Sequence, residues 1–177
     1  TGAVVKYWFT HAFFRQTLYE ETIAPRRIRM HQLVARALEE VYARRPEEHA
    51  AELAEHFSYS SDSEDLSKAV QYGELAAQRA MAVYAYGEAA RLLEQAIQVQ
   101  EVLDPDDKAK RCDLLLALGG ALGLAGESRR VLDEVAPEAF SLAETMGDGI
   151  RASQTCNLAI EGLASQGGPQ GFGTPEA

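Results

Sequence analysis

Between Gly73 and Leu103 the chain reads GELAAQRAMAVYAYGEAARLLEQAIQVQEVL, and its apolar positions fall into two stripes of helical period. Gly73, Ala76, Ala77, Ala80, Met81 and Tyr84 recur at i, i+3, i+4 spacing. After a short aromatic bend, Ala89, Leu93, Ala96, Gln100 and Leu103 do the same, with one polar interruption. This period predicts two amphipathic helices. Small residues along both stripes let the backbones approach closely, so the pair is expected to close as a tight antiparallel hairpin.

The same period runs through most of the chain. The spacing predicts helices over about 11–23, 25–43, 46–58, 64–83, 86–103 and 105–125, then one starting at Glu127 and a last one over 150–165. Pro25 and Pro46 open two of them, and Asp62 or Ser63 is placed to cap the fourth. The cleanest stripe in the chain is Met30, Leu33, Val34, Ala37, Leu38 and Val41, expected to face a core. Gly126 fits the position after a helix end. Pro137 lies inside an apolar pattern and predicts a kink or break near Asp133–Ala136. One stretch departs from helical period: Val4–Phe9, VVKYWF, reads as a short strand needing a partner from elsewhere. Residues 167–177, GGPQGFGTPEA, have the composition of a linker.

Composition narrows the class. The chain has 177 residues, 46% of them hydrophobic, and few β-branched runs, which points to an all-α protein. No apolar run reaches the ~18 residues a membrane span needs. Two cysteines, Cys112 and Cys156, lie far apart within helical patterns and read as reduced, largely buried thiols, which suits the cytoplasm. The net charge of −10 disfavours broad contact with nucleic acid. The arginines nevertheless cluster between Arg15 and Arg45, with Arg26, Arg27 and Arg29 together.

An internal recurrence is visible. Residues 117–135 align with 75–96, pairing Ala77 with Gly119, Ala80 with Leu122, Tyr86 with Ser128, Ala89 with Val131 and Leu93 with Val135. In the placing of its small and large residues the 73–103 hairpin resembles a tetratricopeptide repeat, although the offset of 42 exceeds the usual ~34 of that class. A second resemblance begins further upstream. His11, Ala12, Arg15 and Tyr19, then Pro25, Arg27 and His31, match an H-A-x-x-R-x-x-x-Y and P-x-R-R-x-x-x-H pattern. With the helices that follow, residues 5–150 resemble a segment of the large bacterial STAND-type signal-transduction ATPases, the group of MalT-like and LuxR-type regulators and some multidomain adenylate cyclases. The resemblance implies the end of a small winged-helix-like domain, followed by tetratricopeptide repeats. The family's P-loop and its DNA-reading or cyclase domains have no counterpart within these residues, so no catalytic role is carried over.

The residues themselves supply little chemistry. His49, Glu52 and His56 share a helix face, but the two imidazoles are two turns apart, about 10 Å along the axis. His11 and His31 read as hydrogen-bonding groups where the first two helices meet. Gly119, Gly120 and Gly123 sit in an alanine- and leucine-rich run and read as close packing. No nucleophile elbow, P-loop or Cys–His–Asp arrangement is present. Three roles are open to the arginine cluster: a salt-bridged helix surface with Glu20, Glu21 and Glu39, docking on an acidic neighbouring domain, or contact with nucleic acid.

The sequence thus predicts an all-α chain of antiparallel helical hairpins stacked as a tetratricopeptide-like right-handed solenoid, with a short N-terminal strand from a winged-helix-like remnant. Residues 1–60 would be that remnant and its linking helices, 61–166 the repeats, and 167–177 the tail. The expected role is non-enzymatic: an interaction and sensor segment of a larger ATPase or transcriptional regulator, needing no cofactor or metal. The alternative is a DNA-contacting module using the basic helix 25–43. Protein or peptide would bind the repeats through Glu74, Gln78, Arg79, Arg111 and Leu116, while Arg26, Arg27 and Arg29 would dock a neighbouring domain. The tail, with Phe172 as its one aromatic, is expected to lie in the groove of this molecule or of another copy. The strand and the tail are the two routes by which the chain would self-associate.

Overall fold

The computed structural model describes residues 12–166, and they are helical apart from short connections. The expected strand at Val4–Phe9, His11 and the tail 167–177 lie outside the described residues. In order the helices are α1 (Ala12–Glu21), α2 (Ala24–Val41), a 3-10 turn (Pro46–His49), α3 (Ala50–Ser58), α4 (Ser63–Ala82), α5 (Tyr86–Leu103) and α6 (Lys108–Leu124). There follow a short α7 (Ser128–Arg130), a π turn (Val131–Val135), α8 (Ala136–Met146) and α9 (Gly149–Gln166). Packing follows chain order: α2 on α3, α3 on α4, α4 on α5, α5 on α6, α6 on α8, and α9 against both α8 and α6.

The hairpin expected from the alanine stripes is α4–α5. Gly73 faces Ala96 so closely that a Cβ built on it would lie 3.2 Å from the Ala96 Cβ. Ala76, Ala77, Ala80, Ala89, Ala90 and Ala96 are buried along the seam. Gln100, the polar interruption, is buried too, its amide nitrogen donating to the Asp104 carbonyl at 3.3 Å. Tyr84 is not part of the stripe. It is 78% exposed, with a left-handed φ of 62°.

That conformation belongs to a cap that recurs. At the end of α4 the Ala85 amide donates to the Ala80 carbonyl and the Tyr84 amide to that of Met81. Gly126 occupies the same place after α6, with Glu127 donating to Leu122 and Gly126 to Gly123. Gly147 does so after α8, with Asp148 donating to Ala143 and Gly147 to Glu144. Each is a paired 6→1 and 5→2 cap around a left-handed residue. The starts recur as well. Asp62, Asp107 and Asp148 cap α4, α6 and α9, each carboxylate accepting backbone amides of the first turn.

Just ahead of Pro137 the α-helical pattern is interrupted, where the sequence predicts a kink or break. The π turn Val131–Val135 runs directly into α8, and the Ala136 amide bonds back to the Val131 carbonyl. The wider turn removes the need for an amide hydrogen at Pro137. Val131 and Val135 stay buried in the main core, which runs from α4 to α8, while Ala35, Leu53, Phe57 and Ala69 form a smaller cluster beneath α2.

Candidate interaction site

The α2 helix lies over α3 and α4 and is held from its inner side. Gln32 donates to the Ser60 hydroxyl at 2.7 Å and to the buried Asp65 carboxylate at 3.1 Å, and the Ser60 hydroxyl donates to Asp65 at 2.9 Å. Arg36 stands 3.6 Å from the same carboxylate. One turn on, Glu39 accepts from Lys68 Nζ at 2.9 Å and from the Tyr72 hydroxyl at 2.8 Å. Burial, then the bond to Glu39, pushes the Tyr72 phenol up to about 12. The bond to Glu39 likewise holds the Lys68 ammonium above its ordinary range.

These bonds leave the opposite side of α2 bare. Of the stripe expected to face a core, Met30 is 53% exposed, Leu33 61% and Val41 72%, and Val34 and Ala37 are exposed as well. Ala35 is the one buried residue of the helix. Of the stripe only Leu38 packs inward, against the small cluster of Ala35, Leu53, Phe57 and Ala69, and the rest of this apolar face meets solvent. Leu18 and Ile23 extend this surface across the α1–α2 corner. There Leu18, Tyr19, Thr22, Arg27, Met30, His31, Val34 and His56 line an open apolar cleft of about 380 Å³.

At the base of that cleft three helices meet through histidine. His31 Nε2 and the Tyr19 hydroxyl are 3.0 Å apart, and His31 Nδ1 lies 2.8 Å from His56 Nδ1. The His31 ring stacks on Tyr59 with centroids 4.0 Å apart. A 2.8 Å contact between ring nitrogens requires one to donate and the other to accept, so the bond cannot survive protonation of both rings. Burial, then the neighbouring His56, lowers the His31 pKa below 6.5. His49, on the same stretch as His56, takes other partners: it stacks on Tyr42 and sits 3.6 Å from Glu52.

The three clustered arginines have separate situations. Arg27 closes the end of α1, donating to the Thr22 carbonyl at 2.7 Å and lying over the Tyr19 ring. A cation there complements the free carbonyls of a helix terminus. Arg26 and Arg29 are exposed beside the apolar stripe. Glu39, expected to pair with this cluster, is taken by Lys68 and Tyr72.

The five residues expected to bind a partner on the repeats have different surroundings. Glu74 receives both bonds of Lys110 at 2.8 and 2.7 Å, tying α4 to α6. Arg111 bridges Glu101 at 3.0 Å and Glu138 at 2.7 Å. Arg79 donates to the Glu47 carbonyl at 2.8 Å, and Gln78 is exposed. Leu116 lines a shallow surface cavity with Asp113, Gln154, Asn157, Leu158 and Glu161. Sequence reasoning missed the set of ties in which one of these residues, Glu74, serves. Glu39 to Lys68, Glu74 to Lys110 and Asp113 to Arg151 link α2, α4, α6 and α9 in turn. The signal was present in the cations, since Lys68, Lys110 and Arg151 recur at 42 and 41 positions.

Comparison of the chain with protein-family models, curated proteins and solved structures returns no match. Among the described residues, no helix is long and apolar enough to cross a membrane.

Proposed function

We propose that this chain is a non-enzymatic interaction and sensor segment of a larger signal-transducing ATPase or transcriptional regulator of the STAND type. Its hairpins would stack as a tetratricopeptide-like right-handed solenoid, and α1–α2 would be the docking face toward the neighbouring ATPase domain. One observation carries this reading: the exposed stripe of Met30, Leu33, Val34, Ala37 and Val41, joined by Leu18 and Ile23. A contiguous apolar surface is the usual mark of an interface. It sits on the same stretch that bears the Pro25, Arg27 and His31 pattern. Arg26 and Arg29 flank it as rim charges for an acidic partner.

The DNA-contacting alternative draws less support. Arg27 is engaged by carbonyls and Arg36 stands beside Asp65, which leaves few free cations on α2 in a chain of net charge −10.

The test begins with the coding sequence upstream of Thr1, where this role requires a P-loop ATPase. That domain, supplied in trans, should bind the chain, and Leu33→Glu with Val34→Glu should weaken binding at least about ten-fold. Both side chains are exposed, so circular dichroism should be unchanged. Absence of such a domain, unaltered binding by the double variant, or tight DNA binding with a steep salt dependence would each overturn the assignment.

A further inference from the structure

The face of α9 that points away from α6 and α8 is the third copy of a surface that the molecule covers twice. The register follows from four pairs of equivalent residues. Asp107 and Asp148 cap their helices in the same way, 41 positions apart. Lys110 and Arg151, also 41 apart, each reach back to a carboxylate on the equivalent earlier helix, Glu74 on α4 and Asp113 on α6. Leu114 and Ala121 of α6 are buried, and so are their equivalents Thr155 and Gly162 of α9. Between α4 and α6 the offset is 42, set by the left-handed residues Tyr84 and Gly126 and by Lys68 and Lys110.

In this register α4 buries Val70, Gly73, Ala76, Ala77 and Ala80, and α6 buries Cys112, Leu115, Leu118, Gly119 and Leu122. The α4 face is covered by α5, whose Ala96 meets Gly73; the α6 face is covered mainly by α8, whose Ala139 carbonyl lies 3.4 Å from Cys112 Sγ, with Leu158 of α9 over Gly119. The equivalent positions on α9 are Ser153, Cys156, Ala159, Ile160 and Leu163. Ile160 is 61% and Leu163 60% exposed, Ser153 and Cys156 are exposed, and Ala159 is half-buried.

We infer that this face of α9 is a docking surface for an amphipathic helix of a partner protein, packed antiparallel as α5 packs on α4. The partner's chemistry follows from the two covering helices. Both present alanine at the seam, Ala89 and Ala96 in α5, Ala139 and Ala143 in α8. Alanine at those positions lets the incoming backbone approach while Ile160 and Leu163 supply the apolar area. The inference deepens the interaction role proposed above by naming a second surface, at the opposite end of the chain from α2.

A fluorescent peptide of residues 86–103, the α5 sequence, serves as the probe, titrated into the whole chain and followed by anisotropy. Saturable binding is expected, with at least about ten-fold loss in Ile160→Glu and in Leu163→Glu. Leu33→Glu on α2 should leave it unchanged, which separates failure here from failure of the α2 interface. An independent readout is Cys156, an exposed thiol within the face, whereas Cys112 is buried. Bound peptide should slow alkylation of Cys156 several-fold and that of Cys112 not at all. No saturable binding, or binding indifferent to both α9 variants, or an unprotected Cys156, would overturn the proposal. So would a chain that dimerises through this face, with Ile160→Glu returning it to monomer, since the occupant would then be a second copy.

Discussion

Tyr84 holds a backbone conformation that costs an L-residue roughly 1 kcal/mol, in a cap where Gly126 and Gly147 occupy the equivalent places. Its ring is largely in water, with an edge contact to Tyr86 at 6.1 Å between centroids as its compensation. Tyr84→Gly is therefore expected to stabilise the chain by about 0.5–1 kcal/mol, read as a higher urea midpoint. A lower midpoint would show that the ring contact outweighs the backbone strain. His31 makes the opposite kind of demand. Its pKa in the folded chain is lowered by burial and by His56, so folding favours the neutral ring. The associated stability is fully present above 6.5 and is lost as the pH falls through that value and below. Around the ring stand Tyr19, Tyr59, His56, Glu55 and Arg27, of which Glu55 alone opposes the shift through its charge. The urea midpoint should fall between pH 7.5 and 5, and His56→Gln, which removes one of the three causes that lower the pKa, should shallow that fall. An unchanged slope would mean that burial and Arg27 set the titration without His56.

At the scale of helices, the α4–α5 seam is the contact with least slack. Ala89 is fully buried, and Ala80 nearly so. Ala89→Leu or Ala80→Leu should overpack the seam and cost about 1–3 kcal/mol in denaturant unfolding. If both variants unfold like the parent, the close contact is elsewhere. This hairpin was legible in the sequence because everything that makes it is local: alanine at the seam, an aspartate at Asp62, a short bend. Helix limits came out well for the same reason, being set by proline, aspartate and glycine. The fate of the α2 stripe was not legible. Periodicity marks an apolar face but not what covers it, and Leu33 and Val41 read the same way in a core as at a surface. The His31–His56 contact joins residues 25 positions apart on different helices, and no motif announces it. The proposed α9 surface was half legible: the 42-residue recurrence could be seen, but which of its faces lacks a cover required the burial of α4 and α6.

Across the whole molecule, the ties from α2 to α4, α4 to α6 and α6 to α9 are partly exposed ion pairs, each worth at most about 1 kcal/mol. Lys110→Ala and Arg151→Ala should each cost less than that. Because the pairs share no residue, the double variant should lose close to the sum of the two. A coupling well above about 0.5 kcal/mol would mean that the ties act as one network. Their weakness leaves register as their main contribution: a cation one turn out of place would face no carboxylate.

The matching caps after Tyr84 and Gly126 have a consequence for chain length. Both are followed by a residue whose amide closes the same 6→1 bond, Ala85 in one case and Glu127 in the other. Excising residues 85–126 would join Tyr84 directly to Glu127, and the shortened chain would meet at that splice the geometry it already has at Gly126. Such a deletion removes one α5–α6 unit without opening a loop. A duplication of the same stretch would likewise add one unit without inventing a turn. The chain is thus divisible at those joints, and its length could change in steps of two helices while the ends keep their own surfaces.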